Sequence, residues 1–249
     1  MFGTETLLIF ATFLLAGTVK GIIGLGLPTV SLAILTVLFD LTTAMALLLI
    51  PSFVTNLWQA TVGGQLQALL QRLWPFLLTA TFSISIGALA LVRFDTLLLS
   101  ALLGSLLVLY AGSSLVGLRF SLSHQQQTWA GPATGFVNGL LTGMTGSFVV
   151  PGVIYLNAIG LSRDQLIQAM GILFTLSTLA LALALGGQQL LSVQQLLGSG
   201  LALAPALVGM LLGQRLRRQL SESNFRRLFF WSLLALGAYI IVVATRGMT

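Results

Sequence analysis

The only lysine of this 249-residue chain, Lys20, stands in the run GTVKGIIGLGLP at residues 17–28, inside a much longer apolar stretch. A cation at the centre of a membrane-crossing segment costs about 3 kcal/mol by insertion scales unless it faces water, an anion or a protein partner. The chemistry available to it is therefore anion binding. The glycines beside it are the residues at which a helix breaks, and Pro28 suits the first turn of a helix that starts again after Gly26. A restarted helix offers unpaired backbone N–H groups and the positive end of its dipole, both of which hold anions. Lys20, Gly21, Gly24, Gly26 and Pro28 thus form one candidate substrate-binding set. The structural alternatives are a lysine that snorkels to an interface, or one that pairs with Glu5 or Asp40.

A second interruption occurs at GLLTGMTGSFVVP, residues 139–151. There GFVNG (135–139) echoes GTVKG (17–21), so that Asn138 takes the place of Lys20 and an uncharged amide replaces the ammonium. Gly139, Gly143 and Gly146 supply the break, and Thr142, Thr145 and Ser147 place hydroxyl donors around it. These seven residues are the candidate set of the second half. The hydroxyls are equally able to cap the helix that restarts there.

Two polar stripes accompany the breaks. Ser52, Thr55, Asn56 and Gln59 recur at i, i+3, i+4 and i+7 and so share one helical face; Gln168, Gly171, Thr175 and Thr178 repeat a related face. Asn56, Gln59 and Thr175 join the candidate site on the expectation that both stripes line one cavity between the halves. Hydrogen-bonded packing between membrane helices explains the same stripes without a substrate. Asp40 and Asp164 precede expected helix starts and read as N-caps, SRDQ (162–165) having the form of a capping box.

Other chemistry is poorly provided for. The chain has no cysteine and one histidine, so thiolate or histidine metal clusters and cysteine nucleophiles are excluded. His124 sits among glutamines and is given no role. No phosphate-binding loop of the G-x-x-x-x-G-K-[ST] form is present, so nothing in the chain supports direct drive by ATP, and no cofactor is expected.

Such residues need membrane helices to position them. The chain is 57% hydrophobic and 6% charged, with net charge +6 and a mean hydropathy of +1.02, which specifies a polytopic all-α membrane protein with the lipid bilayer as its solvent. Ten of the eleven cations are arginines at or near segment ends, a pattern that fits topology better than nucleic-acid binding. About eight hydrophobic segments fall near residues 5–39, 42–62, 73–92, 96–118, 132–160, 165–185, 195–214 and 228–245. The first and fifth exceed one span, and each is expected to break at its glycine-rich stretch. AMALLL (44–49) and AMGILF (169–174) extend the echo between the halves, which predicts two four-segment repeats, 1–118 and 132–249, around a polar linker at 119–131. The first segment lacks a basic flank and an A-x-A site, and is expected to be retained rather than cleaved. The arginine bias accommodates two topologies. Eight plain spans place Arg93, Arg163 and the 215–227 cluster opposite Arg72, Arg119 and Arg246; two re-entrant breaks place Arg72, Arg119, Arg163 and the cluster, Arg218 included, opposite Arg93 and Arg246. The cluster is most simply an orientation signal, with lipid headgroups as its other partner.

This pattern resembles the sulfite exporter TauE/SafE family of membrane permeases, whose halves each open with a glycine-rich stretch ending near proline. The counterparts are Gly21, Gly24, Gly26 and Pro28, then Gly139, Gly143, Gly146 and Pro151. Residues 205–241, PALVGMLLGQRLRRQLSESNFRRLFFWSLLALGAYII, are similar to that family's closing hairpin. The resemblance implies transport of a small anion, often a sulfur-containing one such as sulfite or an organosulfonate, by a protein of the cell membrane. From the residues themselves, a secondary transporter for a small anion is the first expectation. A passive anion channel is the second, and a serine–lysine enzyme built on Lys20 and Ser147, or an assembly factor, the third. Substrate, coupling ion, direction and oligomeric state are not fixed by one sequence.

Overall fold

The computed structural model describes residues 3–118, 120–217, 219 and 221–247, the side chain of Glu222 excepted; Arg119 and Arg218, used above in weighing topology, lie outside the described residues. The described chain is helical, with no strand. Its helices are α1 (Thr4–Ile23), α2 (Leu27–Leu38), α3 (Leu41–Thr61), α4 (Leu66–Ala88, extended by a 3₁₀ turn at Leu89–Val92), α5 (Thr96–Val116), α6 (His124–Thr145), α7 (Gly152–Ala158), α8 (Arg163–Gly187), α9 (Val193–Leu216) and α10 (Glu222–Gly247). Seven are long and apolar enough to cross a bilayer: α1, α3, α4, α5, α8, α9 and α10. The 22-residue α6 has the length to cross, but its first turns carry the polar HQQQ. At 12 and 7 residues, α2 and α7 are too short to span.

Both long segments break as their glycines predict. α1 ends at Ile23 and α2 begins at Leu27; α6 ends at Thr145 and α7 begins at Gly152. The polar linker expected over 119–131 is shorter than that, because Ser123 and Gln126 close a reciprocal capping box and start α6 at His124. Ser162 and Gln165 do the same for α8, which corrects the expectation for Asp164: it lies in the first turn, where its charge meets the helix dipole, and Ser162 is the N-cap. Asp40 is a cap as expected, accepting from the Thr43 N–H at 2.9 Å.

The chain forms two compact units that interleave the halves of the sequence. One gathers residues 1–51, 94–117 and 190–249, the other 52–93 and 118–189. α3 gives its first half to the former and its second half to the latter.

In the first unit, α1 crosses α9 and α5 crosses α10, with α2 packed against α1, α5 and α10. The α1–α9 crossing is backbone against backbone. A Cβ at Gly17 or Gly21 would overlap the carbonyl oxygen of Ala206 or Met210, and one at Gly209 or Gly213 would overlap that of Leu14 or Thr18. Small residues are what let membrane helices approach so closely. Gly104 and Gly237 serve the α5–α10 crossing in the same way, whereas Gly112, expected to do likewise, meets no neighbouring atom within 4 Å.

Pro51 interrupts α3, and its missing N–H leaves the carbonyl of Leu47 without its intrahelical donor. Ser199 of α9 supplies the replacement: its hydroxyl donates to Leu47 O at 2.8 Å and accepts from the Ile50 N–H at 3.0 Å. In hydrocarbon neither backbone group has water to turn to. Ser199→Ala should therefore lower stability by about 1–3 kcal/mol, read as a reduced melting temperature in detergent, while Ser199→Thr retains the hydroxyl and most of the stability.

In the second unit, α4 crosses α6 on the same principle, a Cβ at Gly135, Gly139 or Gly143 overlapping the carbonyl of Phe76, Ala80 or Ile84. α4 also packs on α8, and α7 lies against α6 and α8. The second half of α3 is clasped to α8 by two glutamines facing each other's backbone. Gln59 Nε2 donates to Ile167 O at 2.7 Å, and Gln168 Nε2 donates to Ala60 O at 2.8 Å.

Candidate functional site

The predicted residues divide between the units, and each group has its own geometry. In the first unit Lys20 occupies the last turn of α1 and is buried, with 4% of its surface exposed. That burial removes the snorkelling alternative. Glu5 lies fifteen residues earlier on the same helix, about 22 Å along its axis at 1.5 Å per residue, too far to pair with it along α1. Asp40 is exposed and engaged in capping Thr43 through both carboxylate oxygens. Among the described residues Lys20 is the only charged side chain that is buried.

One turn beyond Lys20 the helix ends on Gly24, which takes a left-handed conformation (φ 86°) and returns its N–H to Lys20 O at 2.7 Å. Gly26 is again left-handed (φ 110°) and forms the N-cap of α2. Side chains rarely adopt either conformation, which is why the break is made of glycine. Pro28 stands in the first turn of α2 as predicted, and no side chain caps that helix. The α2 N-terminus therefore presents backbone donors of the kind that hold anions. Gly21 has a different place from the one expected: it faces α9 and permits the crossing described above.

In the second unit the break spans residues 146–151, with a cis peptide at Val150–Pro151. Its two ends are held by residues one turn apart on α6. Asn138, fully buried, accepts the Gly152 N–H through Oδ1 at 2.8 Å, and Thr142 donates its hydroxyl to Ser147 O at 2.9 Å. Thr145 donates to Leu141 O at 2.7 Å and accepts from the Ser147 N–H at 3.3 Å. Gly146 closes α6 in the left-handed conformation, with its N–H on Thr142 O. So the hydroxyls hold the loop, and the amide of Asn138, rather than a hydroxyl, receives the first N–H of α7. Thr142→Val keeps the shape and deletes the bond to Ser147 O; a loss of about 1 kcal/mol in unfolding free energy is expected. Gly139 and Gly143, predicted as ligands, face α4 and serve its crossing.

Of the stripes, Gln59 is engaged in the α3–α8 clasp, and Thr175 returns its hydroxyl to Gly171 O at 2.7 Å. Ser52, Thr55 and Asn56 are buried on the second half of α3. Three further residues have contacts or burial that sequence reasoning missed. Arg72 donates to Ile159 O at 2.7 Å and to Gln127 Oε1 at 3.1 Å, fastening the end of α7. Ser199 repairs α3, and Ser177 of α8 is a fully buried hydroxyl off both stripes. A proline in one helix does not reveal which residue of another helix will answer it.

A buried lysine precedes one glycine break, and an amide and hydroxyls hold the other. The profile of the sulfite exporter TauE/SafE family matches residues 9–240. The chain belongs to the sulfite exporter TauE/SafE family. It is accordingly a multi-pass membrane protein of a transporter family, with seven of its described helices fit to cross the bilayer. No curated protein and no solved structure matches the chain.

Proposed function

We propose that this TauE/SafE protein is a secondary permease for a small anion, a sulfur-containing oxyanion or organosulfonate such as sulfite. The observation that carries this is Lys20: a charged side chain buried in the first unit, in the last turn of α1, with α2 restarting after the break at an uncapped N-terminus. An ammonium and a half-helix dipole attract the same sign of ligand. Gly24, Gly26 and Pro28 shape that break. Asn138, Thr142, Thr145, Gly146 and Ser147 shape its counterpart in the second unit, and Asn56, Gln59 and Thr175 are its polar neighbours in sequence pattern. The chain is further read as a tandem duplication, supported by the matching use of Gly17 and Gly21 in one helix crossing and of Gly135 and Gly139 in the other.

The test is counterflow with purified protein in vesicles. Vesicles preloaded with unlabelled sulfite should accumulate labelled sulfite transiently, with a rate that saturates. Flux that neither saturates nor responds to internal substrate would make the protein a channel. No flux of sulfite, thiosulfate or small sulfonates would sink the proposal altogether.

A further inference from the structure

Hydroxyls in these membrane helices habitually return a hydrogen bond to a carbonyl one turn back, as Thr175 does to Gly171 and Thr178 to Phe174 on α8. Ser177, between them and fully buried, does not: its Oγ meets no partner among the described residues. Asn138 shows the same exception by halves, since Oδ1 takes the Gly152 N–H while Nδ2, also buried, meets none. Buried polar atoms are so regularly paired that these donors, which share their unit with Ser52 Oγ in the same condition, call for an absent acceptor.

Asn138 holds the second break, and α8 packs on it one turn before Ser177. A Cβ on Gly152, the residue that Asn138 holds, would lie 3.1 Å from Leu173 Cδ2. Phe148 of the break loop has its ring 5.9 Å from that of Phe174. The loop is thus bracketed by Asn138 of α6 on one side and by residues 173 and 174 of α8 on the other. Ser177 follows Leu173 by four residues and so occupies the same stripe of α8 one turn on, roughly opposite the face with which Gln168 and Gly171 clasp α3.

We propose that Asn138 Nδ2 and Ser177 Oγ are an uncharged donor pair beside the 146–151 loop that binds an acceptor oxygen of the permeating solute and selects solutes carrying such oxygens over halides. The inference rests on the permease function proposed above. It adds a selectivity element without formal charge, confined to the second unit and including a residue, Ser177, that belongs to neither polar stripe. A hydroxyl and an amide N–H are directional donors, and their contribution falls when the ligand lacks a well-placed lone pair.

The variants are Ser177→Ala, and Asn138→Asp, which keeps the oxygen that accepts Gly152 N–H while removing the amide donor. Labelled sulfite uptake into vesicles and competition by chloride are measured for parent and variants, with melting temperatures in detergent. Ser177→Ala is expected to raise the KM for sulfite about tenfold with little change in the maximal rate, to make chloride a relatively better competitor, and to melt no lower than the parent, because an unpaired buried hydroxyl has been removed. Asn138→Asp is expected to raise KM at least as much. Unchanged KM and chloride competition in both variants, with the parent transporting normally, would overturn the donor pair and mean that water alone serves these groups. A lower melting temperature of Ser177→Ala with KM unaltered would also overturn it, as the sign of a purely structural hydroxyl. Failure of the parent itself to carry any anion would fall on the permease function instead.

Discussion

Lys20→Met is expected to reduce anion flux by about a hundredfold or more in a protein that still folds. The reduction follows from the loss of a charge-assisted contact, about 1.5–3 kcal/mol, together with the ammonium field that favours an anion in a low-dielectric setting. Methionine fills a similar volume, so the packing around the position is kept. Lys20→Arg should retain part of the flux, since charge is kept while length and shape change. The check is initial-rate uptake of labelled sulfite in vesicles, with melting temperatures of the same preparations. Full flux in a folded Lys20→Met protein would remove Lys20 from the site. A steep fall in melting temperature would instead assign it to structure.

Gly139→Leu is expected to have the largest effect on stability. Even a Cβ at this position would overlap Ala80 O and Ser83 Oγ, and the Ala80 carbonyl, as helix backbone, cannot turn aside. Overpacking of this kind costs about 1–3 kcal/mol where side chains can adjust, and more where backbone must separate. The α4–α6 crossing carries the break that Asn138 and Thr142 hold, so flux should disappear along with the fold. Gly139→Ala should already lower the melting temperature markedly. Gly112→Ala is the control: nothing lies within 4 Å of its Cβ position, and alanine is the better helix former by about 1 kcal/mol, so stability should hold or rise. Equal melting temperatures for Gly139→Ala and Gly112→Ala would contradict the crossing.

Lys20 and Gly24 illustrate what could be read early. A cation in an apolar run is informative wherever the run ends up, and the spacing of Gly24, Gly26 and Pro28 specifies a break regardless of what packs around it. Gly21 and Gly139 illustrate the reverse. Both belong to glycine-rich runs and were expected at the ligand, yet both face another helix. A glycine that frees backbone and one that admits a neighbouring helix are identical in sequence.

Hydropathy alone determined the all-helical membrane architecture, since a bilayer admits no unsatisfied backbone and therefore demands helices of spanning length where apolar runs occur. Sequence also determined the two breaks and the buried charge, because the conformational freedom of glycine, the fixed φ of proline and the desolvation of an ammonium are properties of single residues. Tertiary structure decided the partners. It set Ser199 against the gap left by Pro51, Gln59 and Gln168 against each other's helices, and Leu173 and Phe174 of α8 against the second break. Those choices depend on which helix faces which, and the lipid-facing and protein-facing sides of a membrane helix are both apolar, so the hydrophobic pattern that orients a soluble helix is silent about it.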